Sequence, residues 1–116
     1  YLTKPYTRAA VGFKADGTVV FMTVDGTGTP SNNKEGATLF QTGELLRIAG
    51  CVDGFNLDGG GSATIAARIN GRLTVLNNPA DGSVRKVGNA ILLVMPNPEI
   101  RVLGAEGNRI GDYWFR

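Results

Sequence analysis

Asn56-Leu57-Asp58-Gly59-Gly60-Gly61-Ser62, arriving at the end of the run Cys51-Val52-Asp53-Gly54-Phe55, decides how this chain is read. A carboxamide, a carboxylate and a hydroxyl surround three residues that let the backbone bend where a β-carbon forbids it. A strand that stops in such a loop exposes adjacent main-chain N–H groups, and a concave set of amides favours anions such as phosphate. The triplet alone says little, because 17 glycines in 116 residues produce one by chance in roughly a third of shuffled chains. The flanks carry the weight. Side chains alternate along a strand, which puts Gly54, Asn56 and Asp58 on one face and Asp53, Phe55 and Leu57 on the other. The competing interpretation is a turn in which Asp58 and Ser62 bond only to nearby backbone.

Outward from this loop, the sequence predicts β-rich runs at 8–13 and 18–24, joined through Lys14-Ala15-Asp16-Gly17 as a hairpin. Residues 25–37 read as a loop. Thr38 and Gln41 then fit a capping box. Leu39, Thr42, Leu46 and Ala49, widened by Leu45 and Ile48, give the apolar face of a helix over about residues 38–50, stopped by Gly50. A buried strand through Leu57 follows, then the glycine loop and a strand over 63–69. Asn70-Gly71 marks a second hairpin into 72–76. Residues 77–83 form a loop with the turn pair Asp81-Gly82. Ala90-Ile91-Leu92-Leu93-Val94-Met95 is too continuous for a one-sided strand and reads as a central strand buried on both faces. Pro96-Asn97-Pro98 ends it. Residues 100–116 read as two short strands about a Gly107-Asn108 turn.

These elements predict an α+β fold, a mixed, largely antiparallel sheet of about seven short strands with one amphipathic helix packed on a face. Residues 1–95 are expected to form the domain and 96–116 a linker or the start of a further β segment. One helix covers only part of such a sheet, so further protein is expected to cover the rest.

Composition removes several function classes. The formal charge is only +2 and the sole adjacent basic pair is Arg85-Lys86, so the basic stripe of a nucleic-acid binder is missing. With no His in the chain, imidazole-based triads and the common zinc sets are excluded, and acid–base chemistry falls to carboxylates. The single Cys51 has no basic neighbour to activate it and reads as a small hydrophobe. No apolar run is long enough to span a membrane, and no signal-like segment is seen.

Arg8-Ala9-Ala10-Val11-Gly12, Asp16-Gly17, Val24-Asp25-Gly26, Gly36 with Thr38-Leu39, Asn56 to Ser62 with Thr64, Asn77-Asn78-Pro79, and Arg85-Lys86-Val87-Gly88-Asn89-Ala90 occur in an order and spacing that resemble the phosphodiester glycosidase family. The resemblance runs over about residues 8–94 and covers the carboxyl-terminal part of the family domain. It implies that an amino-terminal half, from preceding residues or another chain, completes the domain. The chain begins on Tyr1 rather than Met, which fits that expectation.

The activity implied is hydrolysis of a sugar-1-phosphate diester, with a sugar such as N-acetylglucosamine, by a secreted or extracellular enzyme. Cleavage at an anomeric carbon passes through an oxocarbenium-like state that a carboxylate stabilises, and Asp58 is the candidate catalytic residue. Arg8 and Arg85 are candidates for forked bonds to phosphate. Gly59, Gly60, Gly61 and Ser62 offer amides, Ser62 and Thr64 hydroxyls, and Asn56 and Asn89 carboxamides for sugar hydroxyls. Asp25, Asn56 and Asp58 are hard oxygen donors for a Ca or Mg ion, though their spacing matches no ordered ion-binding loop; the residues leave a metal open. The alternative function is a non-catalytic glycan-binding or structural module of a larger extracellular assembly.

Overall fold

The computed structural model describes residues 2–26, 35–94, 96, 100–106 and 109–115, the last two segments by backbone alone. In chain order the elements are β1 (Arg8–Lys14), β2 (Val19–Val24), α1 (Leu39–Ile48), β3 (Cys51–Asn56), β4 (Ala66–Ile69), β5 (Arg72–Val75), β6 (Ile100–Glu106) and β7 (Arg109–Phe115).

The predicted single sheet is not formed. Five strands fall into two small sheets, ordered β2-β1-β3 and β4-β5, while β6 and β7 pair only with each other. The pairings are antiparallel, so the expected mixed sheet is corrected as well. The expected central strand over 90–95 is the chief reason for the difference. Residues 84–94 form no strand, and Leu92 and Val94 stand 79% and 86% exposed. Hydrophobicity alone does not make a strand; a ladder partner on each side and cover on each face are needed. The expected buried β3 is likewise corrected. Among the described residues it pairs only with β1, and it is exposed along most of its length. The predicted Gly107-Asn108 turn lies outside the described residues.

Local chemistry builds the two tight hairpins and the helix where the sequence predicts them. At the β1–β2 turn the Gly17 N–H donates to Lys14 O at 3.0 Å, with Gly17 at φ +88°, and the Thr18 N–H donates to Asp16 Oδ1 at 2.9 Å. The helix starts on the capping box: Thr38 Oγ1 accepts from Gln41 N and Gln41 Oε1 accepts from Thr38 N. Gly50, at φ +92°, takes the chain out of the helix. The β4–β5 hairpin turns on Asn70 and Gly71 at φ +48° and +80°, the paired left-handed conformation this dipeptide favours.

Close backbone approach sets the helix against the sheet. Gly12 of β1 lies opposite Gly54 of β3, and Leu46 of α1 sits over the pair. A β-carbon at Gly12 would stand 2.9 Å from Leu46 Cδ2, and one at Gly54 2.9 Å from Leu46 Cδ1. Of the predicted helix face, Thr42 and Leu46 are buried, whereas Leu45 and Ile48 are exposed. They border a groove of about 290 Å³ with Val24 and Ala37. None of the residues singled out as a candidate site lines that groove.

Candidate functional site

The glycine loop begins where β3 ends, at Asn56. Leu57 still follows β1, its N–H donating to Ala9 O at 2.7 Å. Asp58 therefore lies past the strand, on an exposed loop, and the alternation that pairs it with Asn56 stops before it. Its Oδ1 accepts the Gly59 N–H at 2.9 Å. The chain then makes a single 3-10 turn over Gly60–Ser62, entered with Gly60 at φ +60°.

The loop amides are largely turned inward. Gly60 N–H donates to Thr7 O at 3.0 Å, Ser62 N–H to Gly59 O at 3.2 Å and Ala63 N–H to Gly60 O at 3.2 Å. Thr7 is 1% exposed, and its hydroxyl donates to Gly26 O and accepts from Gly26 N, both at 3.0 Å. One buried threonine thus ties the glycine loop to the end of β2. Thr7 carries no sequence signal, because its role depends on Gly26, 19 residues away.

A second loop closes on the first. Asn77 acts as a substitute backbone unit: its Oδ1 accepts from Ile65 N at 2.9 Å and its Nδ2 donates to Ala63 O at 3.0 Å. Asn78 donates from its main-chain N and from Nδ2 to the Asp25 carboxylate. Ala80 is buried and Gly82, at φ +79°, closes a turn back to Pro79 O. Asp81 is thereby pressed against the glycine loop, where a β-carbon on Gly61 would overlap its carboxyl group. Arg85 Nη1 stands 3.7 Å from Asp81 Oδ2, with both side chains about half exposed.

The sequence-predicted residues are distributed unequally over this arrangement. Asp58, Gly59, Gly60, Gly61 and Ser62 form the loop, and Arg85 reaches it through Asp81. Arg8 does not present its guanidinium to solvent. It is 0% exposed, donating from Nε to Ala37 O at 2.8 Å and from Nη2 to Lys4 O at 3.1 Å, with its guanidinium carbon 5.4 Å from the Tyr6 ring centre. Asn56 is exposed and donates from Nδ2 to Leu57 O. Thr64 is half-buried beside the loop, and Asn89 lies in the exposed 84–94 segment. Asp25 is engaged with Asn78 at the far side of the second loop. Among the described residues no three His, Cys, Asp or Glu side chains converge as a metal site. Asp81 has no local signal beyond its turn pair with Gly82, because its contact is with Gly61, 20 residues away.

A family model described as phosphodiester glycosidase matches residues 3–94. The chain is also 35% identical over 98 residues to the uncharacterized SPbeta prophage-derived protein YomE of Bacillus subtilis (strain 168). That alignment covers 84% of this chain and 14% of the relative, so the chain spans a small part of that protein's length. No solved structure matches the chain.

Proposed function

The chain belongs to the phosphodiester glycosidase family, and we propose that it supplies the carboxyl-terminal part of a domain that hydrolyses a sugar-1-phosphate diester. The observation that carries the reading is the meeting of two loops distant in sequence: Asp81, which pairs with Arg85, lies against Gly61 of the glycine loop that also carries the exposed carboxylate Asp58. In this reading Asp58 stabilises positive charge at the anomeric carbon or attacks it. Arg85 steadies the phosphate with a forked, charge-assisted contact. The phosphate leaves as a monoester whose second pKa is about 6, so departure needs little protonation. Asn56, Ser62, Thr64 and Asn89 are the contacts assigned to sugar and phosphate oxygens. Residues 1–95 belong to this domain and 96–116 lead to a further β segment. An N-acetylglucosamine-type sugar and a site outside the cell complete the proposal.

Arg8 takes a different part. Buried at the start of β1, it braces the backbone at Ala37 and Lys4 and acts on the site through Thr7, its neighbour in sequence.

The openness of Asp58, Asn56 and Asn89 also suits a second reading, a glycan-binding module without turnover. Incubation of a sugar-1-phosphate diester with the full-length protein, followed by assay of free sugar, separates the two. Release that falls by at least about a thousandfold in Asp58→Asn, with fold intact, supports the hydrolase. Release untouched by that substitution removes Asp58 from the mechanism. Binding with no release by the unsubstituted protein favours the module.

A further inference from the structure

We propose that Asp81 is a built-in competing anion at the glycine loop, one that disfavours doubly charged phosphate monoesters relative to singly charged diesters. The inference rests on the functional reading above and deepens it.

Asp81 is held where it is from several directions. Asn77 fastens the start of its loop to Ala63 and Ile65, Asn78 fastens it to Asp25, and Gly82 turns the chain immediately after it. The absence of a β-carbon at Gly61 is what lets the carboxylate lie against the loop. Arg85 Nη1 stands 3.7 Å from its carboxylate. About half of each side chain remains exposed, so a solute anion reaches the pair.

Charge arithmetic gives the consequence. Coulomb energies scale with the product of the charges. A phosphodiester carries one negative charge, whereas a phosphate monoester carries about 1.5 to 2 near neutral pH. Arg85 alone would hold the monoester more strongly than the diester. Asp81 beside it opposes that attraction and cancels the preference. In a hydrolysis that turns a diester into a monoester on the carrier side, the pair therefore holds product no more tightly than substrate and eases product release.

Isothermal titration of the full-length protein with inorganic phosphate and with dimethyl phosphate, at neutral pH and low salt, tests this. Asp81→Asn is expected to tighten phosphate by roughly threefold, the size of one partly exposed charge interaction, with a smaller change for dimethyl phosphate. Arg85→Gln is expected to weaken both. Asp81→Ser serves as a second variant should Asp81→Asn lose its fold, as judged by circular dichroism and melting. Phosphate binding that stays the same or weakens in a folded Asp81 variant, while still depending on Arg85, overturns the inference and leaves the phosphate reading standing. Failure of both anions to bind the parent and the Asp81 variants removes the phosphate reading itself, and this inference with it.

Discussion

The Asp25 carboxylate accepts the main-chain N–H of Asn78 at 3.1 and 3.2 Å and the Asn78 side-chain amide at 2.8 Å, across 53 residues of sequence. This contact joins the end of β2 to the loop that carries Asp81 and Arg85. Asp25→Ala removes all three bonds and is expected to lower stability by about 1 kcal/mol, the low end for bonds to a charged group because these are solvent-exposed. Asn78→Ala removes only the side-chain bond and should cost less. Urea midpoints of the two variants check the order, and equal values would argue against the latch.

The Gly12–Gly54 pair beneath Leu46 makes a sharper prediction. In Gly54→Ala the new methyl stands 2.7 Å from Val11 O and 2.9 Å from Leu46 Cδ1. The backbone oxygen has little room to yield, so a loss of about 2–3 kcal/mol is expected from overpacking. In Gly12→Ala the first obstacle is Cys51 Sγ at 2.5 Å. Cys51→Ala should therefore recover part of the loss in the double variant, which a mutant cycle on unfolding free energies measures.

Arg8 and Arg85 should separate cleanly. Arg8→Met leaves Ala37 O without its guanidinium donor in a buried setting and removes the part-buried bond to Lys4 O, and is expected to cost about 2–4 kcal/mol of stability. Arg85→Gln, at a side chain 55% exposed, should leave the melting temperature within a degree or two of the parent while raising KM for a diester substrate. Loss of stability in the Arg85 variant, or its absence in the Arg8 variant, would reverse the assignment of strut and ligand.

Asp16 supplies the pH dependence. Bonds from the Thr18 side chain and backbone hold its carboxyl below the ordinary value of 3.8. The folded form thus favours the ionised state. The hairpin's stability from this group is complete above the unfolded value and is lost as pH falls through the lower, folded one. The carboxyl chemical shift of Asp16 followed by NMR should show a midpoint below the ordinary value of 3.8. A midpoint at or above the ordinary value would contradict the turn geometry.

Much of the local structure was legible. Thr38 with Gln41, Gly50, Asp16-Gly17 and Asn70-Gly71 each encode their conformation within four residues, because capping and left-handed turns depend on neighbours in sequence. The apolar run at 90–95 misled for the complementary reason. Its composition says what a strand there would bury, whereas strand formation depends on partners that sequence does not name. The same holds in the site: the glycine loop and the 77–83 loop were each legible, and the contact of Asp81 with Gly61 was not.

By itself the sequence determined the helix, the two tight hairpins, the family and the presence of a carboxylate beside a glycine loop. Tertiary structure alone decided that the buried Arg8 braces the carbonyls of Ala37 and Lys4, that Asp81 rests on Gly61, and that Leu46 seats on two facing glycines. The division follows from range. Turns and caps are settled by torsion angles and bonds between near neighbours, while burial and charge pairing across 20 or more residues exist only once the chain has closed on itself, as it does between Gly61 and Asp81.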